Sequence, residues 1–224
     1  MSHHAGNGTL SDRVTASARP REELLARARE RGWYHVLDLG GGETTRGWFD
    51  LRPFLDRYGL PERLDGLRVL DVGTWDGFFA FEAERRGAAE VIALDLDDER
   101  ELDFPPRRRP SAFPEELGRF DLVVCGSVLI HLRDQLLALE RIAGLCRGTF
   151  ISAEEYSRAA GLAPFPASRY LADRDKAVVF WLPSARTWRR MLWTAGFDQV
   201  RERGRFTLRA TNGLRVRHVV HHAS

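Results

Sequence analysis

Apolar residues gather in short runs separated by longer stretches of mixed character. Residues 67–72, 90–95, 120–125 and 149–153 are five- or six-residue runs rich in Val, Leu, Ile and Phe. Runs of that length without strict polar alternation fit strands covered on both faces. Helical patterns lie between and after them. Residues 77–86 begin with the apolar Phe78-Phe79-Ala80-Phe81 and stop at Gly87. Residues 134–145 carry Leu136, Leu137, Leu139, Glu140 and Ile142 on a mostly apolar face. Residues 184–195 open on a serine cap after Pro183, show the stripe Trp188, Met191, Leu192, Ala195, and stop at Gly196. Strands alternating with helices predict an α/β fold, doubly wound around a mostly parallel sheet. The last strand is expected to be antiparallel, because 197–210 and 214–222 flank the turn Thr211-Asn212-Gly213.

The N-terminal part follows a different pattern. Residues 1–19 are small, polar and glycine-bearing, and read as a disordered tail. Residues 20–31 read as a helix, with Pro20 in its first turn, Leu24, Leu25 and Ala28 on one face, and Gly32 as its stop. The three glycines Gly40-Gly41-Gly42 are followed by no lysine–serine pair and no helix, so they read as a turn between short extended pieces. A short helix at 54–58, ended by Gly59 and Pro61, completes a cap spanning 20–60. The remainder, 61–224, is the expected main domain. Within it, 97–118 carries Pro105, Pro106, Pro110 and Pro114, a density that breaks helices and inner strands. A third strand there is expected to be abbreviated or missing. The connection 154–182 is rich in aromatics and is expected to close over a ligand as a lid.

The chemistry is concentrated at one turn. Val69-Leu70-Asp71-Val72-Gly73-Thr74-Trp75-Asp76-Gly77 is a buried strand running into a glycine turn, and Val91-Ile92-Ala93-Leu94-Asp95 is the next strand, ended by a carboxylate. Such a unit builds a nucleoside pocket at the carboxyl end of a parallel sheet, with the second acid placed for two ribose hydroxyls. Gly73 is read as leaving room for the ligand's approach. The first acid stands where a dinucleotide fold needs glycine against pyrophosphate. A carboxylate there repels phosphate and suits an ammonium group. S-adenosylmethionine has that ammonium, and ribose hydroxyls for Asp95.

On these residues the chain resembles the class I S-adenosylmethionine-dependent methyltransferases. The stretch from Phe120 to Asp134 is similar to that family's fourth strand and the helix entry after it. Trp33-Tyr34-His35 with Gly47-Trp48-Phe49-Asp50 resembles the cap of a branch related to the bacterial enzymes that carboxymethylate wobble uridine in tRNA, a branch that includes many small-molecule methyltransferases. The resemblance covers 33 to about 200. It implies S-adenosyl-L-methionine as cofactor, with Asp71, Gly73, Thr74, Trp75, Asp76, Gly77, Phe78, Asp95, Leu96 and Ser127 as the candidate residues around it.

His131 opens the helix after the fourth strand and His35 sits in the cap; each is a candidate base for a hydroxyl or amine, or equally a histidine bonded to the backbone. In-line displacement at a sulfonium carbon draws much of its rate from alignment in a dry pocket, so a dedicated base is optional. Trp33, Tyr34, Tyr170 and Trp181 are candidates for the acceptor pocket. Glu154, with Glu155 beside it, is either a substrate-binding acid or a solvated loop acid. His218 and His221 point to opposite faces of a strand and do not readily share a metal ion, so none is expected.

Composition narrows the setting. A chain of 224 residues with 43% apolar and 29% charged positions is an ordinary globular protein with ample core. No apolar run approaches the roughly 18 residues of a membrane span and the first ten residues lack a signal-peptide core, so a cytoplasmic protein is expected. Cys125 and Cys146 lie in apolar stretches and read as buried free thiols. The net charge is +2, and from Arg186 to Arg217 nine arginines face only Asp198 and Glu202. That region is either a phosphate-binding face or a solvated surface. The expected function is methyl transfer to a small, secondary-metabolite acceptor. Methylation of an RNA, and S-adenosylmethionine binding without methyl transfer, are the alternatives. Oligomeric state is open.

Overall fold

A computed structural model describes residues 20–95, 117–172 and 179–224. The expected tail, Leu96 and nearly all of the proline-rich segment lie outside the described residues. In chain order the elements are α1 (Arg21–Glu30), β1 (Trp33–His35), β2 (Asp38–Gly40), β3 (Glu43–Thr44), β4 (Gly47–Phe49), α2 (Leu55–Tyr58), β5 (Arg68–Val72), α3 (Phe78–Arg85) and β6 (Glu90–Leu94). There follow β7 (Phe120–Gly126), α4 (Gln135–Leu145), β8 (Cys146–Glu155), β9 (Ser168–Tyr170), β10 (Trp181–Pro183), α5 (Ala185–Thr194), β11 (Val200–Arg209) and β12 (Arg215–Ala223).

The main sheet runs β11-β12-β8-β7-β5-β6. β6, β5, β7 and β8 are parallel, while β12 pairs antiparallel with both β8 and β11. The chain leaves β5 outward to β6 and then returns to β7 on the other side. That reversal opens a crevice at the carboxyl end of β5, where α/β sheets bind ligands. β8 is longer than its apolar run because Phe150–Glu155 is held on its other side by His218–Ala223.

Apolar side chains separate onto the two faces of the sheet. One face packs α4 and α5 through Leu139, Ile142, Trp188 and Leu192 against Leu70, Val123 and Phe150. The other carries α3 and the cap, whose Leu37, Phe49, Leu51 and Tyr58 join Val69, Phe79, Ile151 and Phe206 in one core. Helix starts obey local chemistry: Asp134 accepts the Leu137 amide at 2.9 Å and Ser184 accepts that of Thr187 at 3.1 Å.

α1 forms where the sequence places a helix, yet it buries no side chain, and Leu24 is 51% exposed. Polar contacts hold it instead: Arg21 donates to the Gly40 carbonyl at 2.6 Å and the Trp33 indole to that of Ala28 at 2.7 Å. Of the triple glycine, Gly40 ends β2 and Gly41-Gly42 make the turn into β3. β1 and β4 pair in parallel, with Trp33 opposite Gly47. A Cβ on Gly47 would stand 2.0 Å from the His35 carbonyl carbon, so only glycine lets the two cap strands cross this closely. Gly47→Ala should therefore destabilise the protein by about 1–3 kcal/mol through overpacking, read as a lower urea midpoint. An unchanged midpoint would mean that the cap strands part at no cost.

Candidate active site

The turn from β5 into α3 is built on left-handed backbone. Gly73 and Gly77 have φ of 70° and 88°, and between them Trp75 is driven to 51° despite its side chain. Ser127, at the end of β7, is the other non-glycine with positive φ among the described residues, at 58°. Each such residue costs on the order of 1–2 kcal/mol, so two of them at adjoining strand ends mark a site held in shape by its surroundings. The space beside Gly73 is not open to a ligand, as the sequence reading had it. A Cβ there would lie 2.3 Å from Cγ2 of Val128, so the glycine also lets the loop after β7 pack onto the turn.

Asp71 is buried at the carboxyl end of β5, where one oxygen accepts the Thr74 hydroxyl at 2.7 Å and the Ala80 amide at 3.0 Å. Burial lifts its pKa to about 6 against those two bonds and the nearby His35. A buried carboxyl in this condition gains from a cationic ligand. Asp95 follows β6, exposed, and accepts the Trp75 amide at 2.5 Å. This fixes its carboxylate beside the turn.

Asp76 performs a task that the sequence reading missed. One oxygen accepts the backbone amides of Tyr34 at 2.9 Å and His35 at 2.7 Å; the other pairs with Nδ1 of His35. Those bonds hold its pKa below the usual carboxylate range although burial opposes them. The cap is thereby fastened to the glycine turn. Tyr34 lies over it, its ring centroid 5.6 Å from that of Trp75 and 4.8 Å from that of His35, and the His35 ring lies 5.6 Å from Phe78. Trp33 turns the other way, toward α1.

His131 ends a single 3-10 turn, Leu129–His131, its amide bonded to the Val128 carbonyl at 3.0 Å. Glu154 is 1% exposed and so is no solvated loop acid. One of its oxygens accepts the amides of Val128 and Leu129, both at 3.2 Å, and anchors the loop that carries Ser127. Burial raises its pKa to about 8. Tyr170 and Trp181 face each other across β9 and β10 with centroids 4.6 Å apart, yet remain 61% and 38% exposed. The structure thus brings Tyr34, His35, Asp71, Gly73, Trp75, Asp76, Gly77, Phe78 and Asp95 to one turn, and sets the aromatic pair on a separate hairpin. His218 and His221 lie on opposite faces of β12, one beside Phe206 and the other near Arg189.

A family profile described as a methyltransferase domain matches residues 11–202. The chain belongs to the class I S-adenosylmethionine-dependent methyltransferases. The methyltransferase is 32% identical over 172 residues to the tRNA U34 carboxymethyltransferase of Ectopseudomonas mendocina, covering 69% of this chain and 50% of that protein. It is 31% identical over 134 residues to the ubiquinone biosynthesis O-methyltransferase of Xanthomonas campestris pv. campestris, covering 53% and 56%. The chain thus spans about half the length of the curated relatives it matches. In fold it is similar to the N-terminal domain of EvdMO1 solved with S-adenosylhomocysteine bound, at a TM-score of 0.63 and 18% identity over 91% of this chain and 96% of that one. A methyltransferase from Mesorhizobium loti gives 0.51 and 20%, over 78% and 97%. S-adenosylmethionine is the cofactor. The residues present are compatible with it: a buried carboxyl, Asp71, and an exposed one, Asp95, lie on either side of the glycine turn.

One pH effect follows from Glu154. Its pKa is about 4.5 in an unfolded chain and about 8 in the fold, so the folded protein binds the proton more tightly. Its stabilising effect is full below pH 4.5 and fades as pH rises through 8. Glu154→Gln should flatten the fall of the urea midpoint across that window; equal slopes in both proteins would remove Glu154 as its source.

Proposed function

We propose that the protein transfers methyl from S-adenosylmethionine to a small-molecule acceptor, a secondary metabolite, held between the cap and the carboxyl end of the sheet. The observation that carries this reading is the Asp76 tie, which keeps Tyr34 and His35 over the glycine turn. A roof fixed that closely favours a compact acceptor and a water-poor space. The cofactor supplies an electrophilic methyl group on a positively charged sulfur. Asp71 takes the ammonium, Asp95 the ribose, and the backbone of 73–77 follows the ligand between them. His35 is a positioning residue, its ring oriented through Nδ1 by Asp76, and Tyr34 offers an aromatic face and a phenol to the acceptor. Burial and the charges of Glu155 and Asp76 keep that phenol protonated. No helix of the described residues is long and apolar enough to cross a membrane. The two buried free thiols fit a reducing compartment, the cytoplasm.

RNA is the second reading, supported by the relative that modifies tRNA U34 and by the exposed arginines of β11 and β12. The deciding experiment supplies labelled S-adenosylmethionine to the protein in an extract of producing cells and follows the label. Label in a small organic product supports the first reading. Label in RNA, with affinity falling steeply in salt, supports the second. Formation of no methylated product, with S-adenosylmethionine bound, would sink both.

Asp95→Ala should weaken S-adenosylmethionine by roughly 1.5–3 kcal/mol, the scale of hydrogen bonds to a charged group. Calorimetry on the folded variant checks this, and unchanged affinity would take Asp95 out of the ribose site.

A further inference from the structure

Glu155 ends β8, and strand alternation puts its side chain on the face of Ile151 and Ala153, toward the cap. Across the ladder it stands directly opposite His218. His218 is buried, its ring stacked on Phe206 with centroids 5.2 Å apart, and its Nε2 lies 2.7 Å from the Ser127 hydroxyl. Tyr34 approaches from the cap side, close enough for the Glu155 charge to act on its phenol. Around Glu155, the His35 ring is held by Asp76 and Nε2 of His218 lies against Ser127, while Nδ1 of His218 is buried without a partner. Among the described residues no hydrogen-bond donor reaches the Glu155 carboxyl; burial alone acts on it and lifts its pKa to about 7. A half-buried carboxyl without a protein partner, across the ladder from a buried imidazole with one nitrogen also unpartnered, is placed to receive a polar group from outside the protein.

We propose that Glu155 takes the proton from the methyl acceptor, with Ser127 and Tyr34 beside it as binding groups, and that the acceptor nucleophile is an O–H or N–H group. This rests on reading the capped face as the acceptor site. As the nucleophile's lone pair bonds to the methyl carbon, the carbon–sulfur bond breaks with its electron pair left on sulfur. The nucleophile's proton passes to the Glu155 carboxylate. Sulfur thereby loses its positive charge and Glu155 its negative one, so the two charges cancel across the site. Ser127, like Trp75, is a non-glycine held in left-handed backbone, and its hydroxyl meets His218 beside Glu155.

The groups facing Glu155 are known from each element packed there. β12 contributes His218, which burial lowers to about 4 and so keeps neutral near pH 7. The cap contributes Tyr34, on which the Glu155 charge acts; behind it His35 and Asp76 are paired with each other, and the buried Tyr58 of α2 feels Glu154 and Tyr34. Glu154 lies on the opposite face of β8 with the loop after β7. Arg205 of β11 lies over Tyr156 and is bound to Glu202.

The test uses binding rather than turnover. S-adenosylmethionine and S-adenosylhomocysteine share the ribose and the amino acid and differ in the charge on sulfur, so the ratio of their affinities cancels what Asp71 and Asp95 contribute. If Glu155 faces the sulfonium, raising the pH from 6 to 8 ionises it and should shift that ratio roughly threefold to tenfold toward S-adenosylmethionine. Glu155→Gln should make the ratio independent of pH, and Glu155→Asp should keep the dependence. In carbon-13 spectra of the wild type, one glutamate should titrate lower with S-adenosylmethionine than with S-adenosylhomocysteine, and that signal should vanish in Glu155→Gln. A flat ratio in the wild type, or one that survives in Glu155→Gln, overturns the assignment even where both ligands bind. Failure of both ligands to bind would strike the cofactor site itself, a distinct result.

Discussion

The Asp76 carboxylate joins two parts of the molecule that are distant in sequence. It stands in a turn whose backbone is held left-handed on both sides, and it collects two amides and an imidazole from a strand more than forty residues earlier. Hydrogen bonds to an ionised group are about twice as strong as neutral ones. Three-residue strands are marginal alone, so the β1–β4 ladder relies on this tie together with the burial of Leu37, Phe49 and Leu51. With the tie in place, Tyr34 and His35 become the roof over the cofactor turn, and the aromatic contacts among Tyr34, Phe49, Trp75 and Phe78 follow.

A second constraint comes from burial. The carboxyl end of the sheet holds Asp71, Glu154, Glu155 and His218 where water is scarce, and each is displaced toward its neutral form. Groups are kept so at functional sites because the missing stabilisation is supplied by a ligand or by the reaction. The four divide the work by position. Asp71 belongs to the glycine turn, Glu154 to the loop that carries Ser127, and Glu155 with His218 to the face under the cap.

The strand and helix pattern was legible because it rests on local physics. Apolar runs bounded by glycine, a serine or aspartate at a helix start, and a turn ending in glycine each determine structure within a few residues. The glycine turn was legible for a related reason: Asp71, Gly73 and Gly77 lie in one short segment, and Asp95 follows the next strand. Where the local signal misled, packing overrode it. The helix α1 formed as its sequence pattern has it, but its docking, through Arg21 and Trp33, left no local signal. Gly73 was read as room for a ligand, and Val128 occupies that room.

The sequence by itself determined an α/β sheet, the order of its strands and helices, and a turn with acids suited to an ammonium and a ribose. It could not determine which of two adjacent glutamates faces the cap, because one residue's difference in register exchanges the faces and an isolated strand end does not reveal it. Nor could it pair Ser127 with His218, 91 residues away, or Asp76 with His35, 41 residues before it. Those contacts exist only once β12 is laid against β8 and the cap is closed on the turn. Tertiary structure decided them, because a hydrogen bond between distant residues depends on the geometry of everything folded between them.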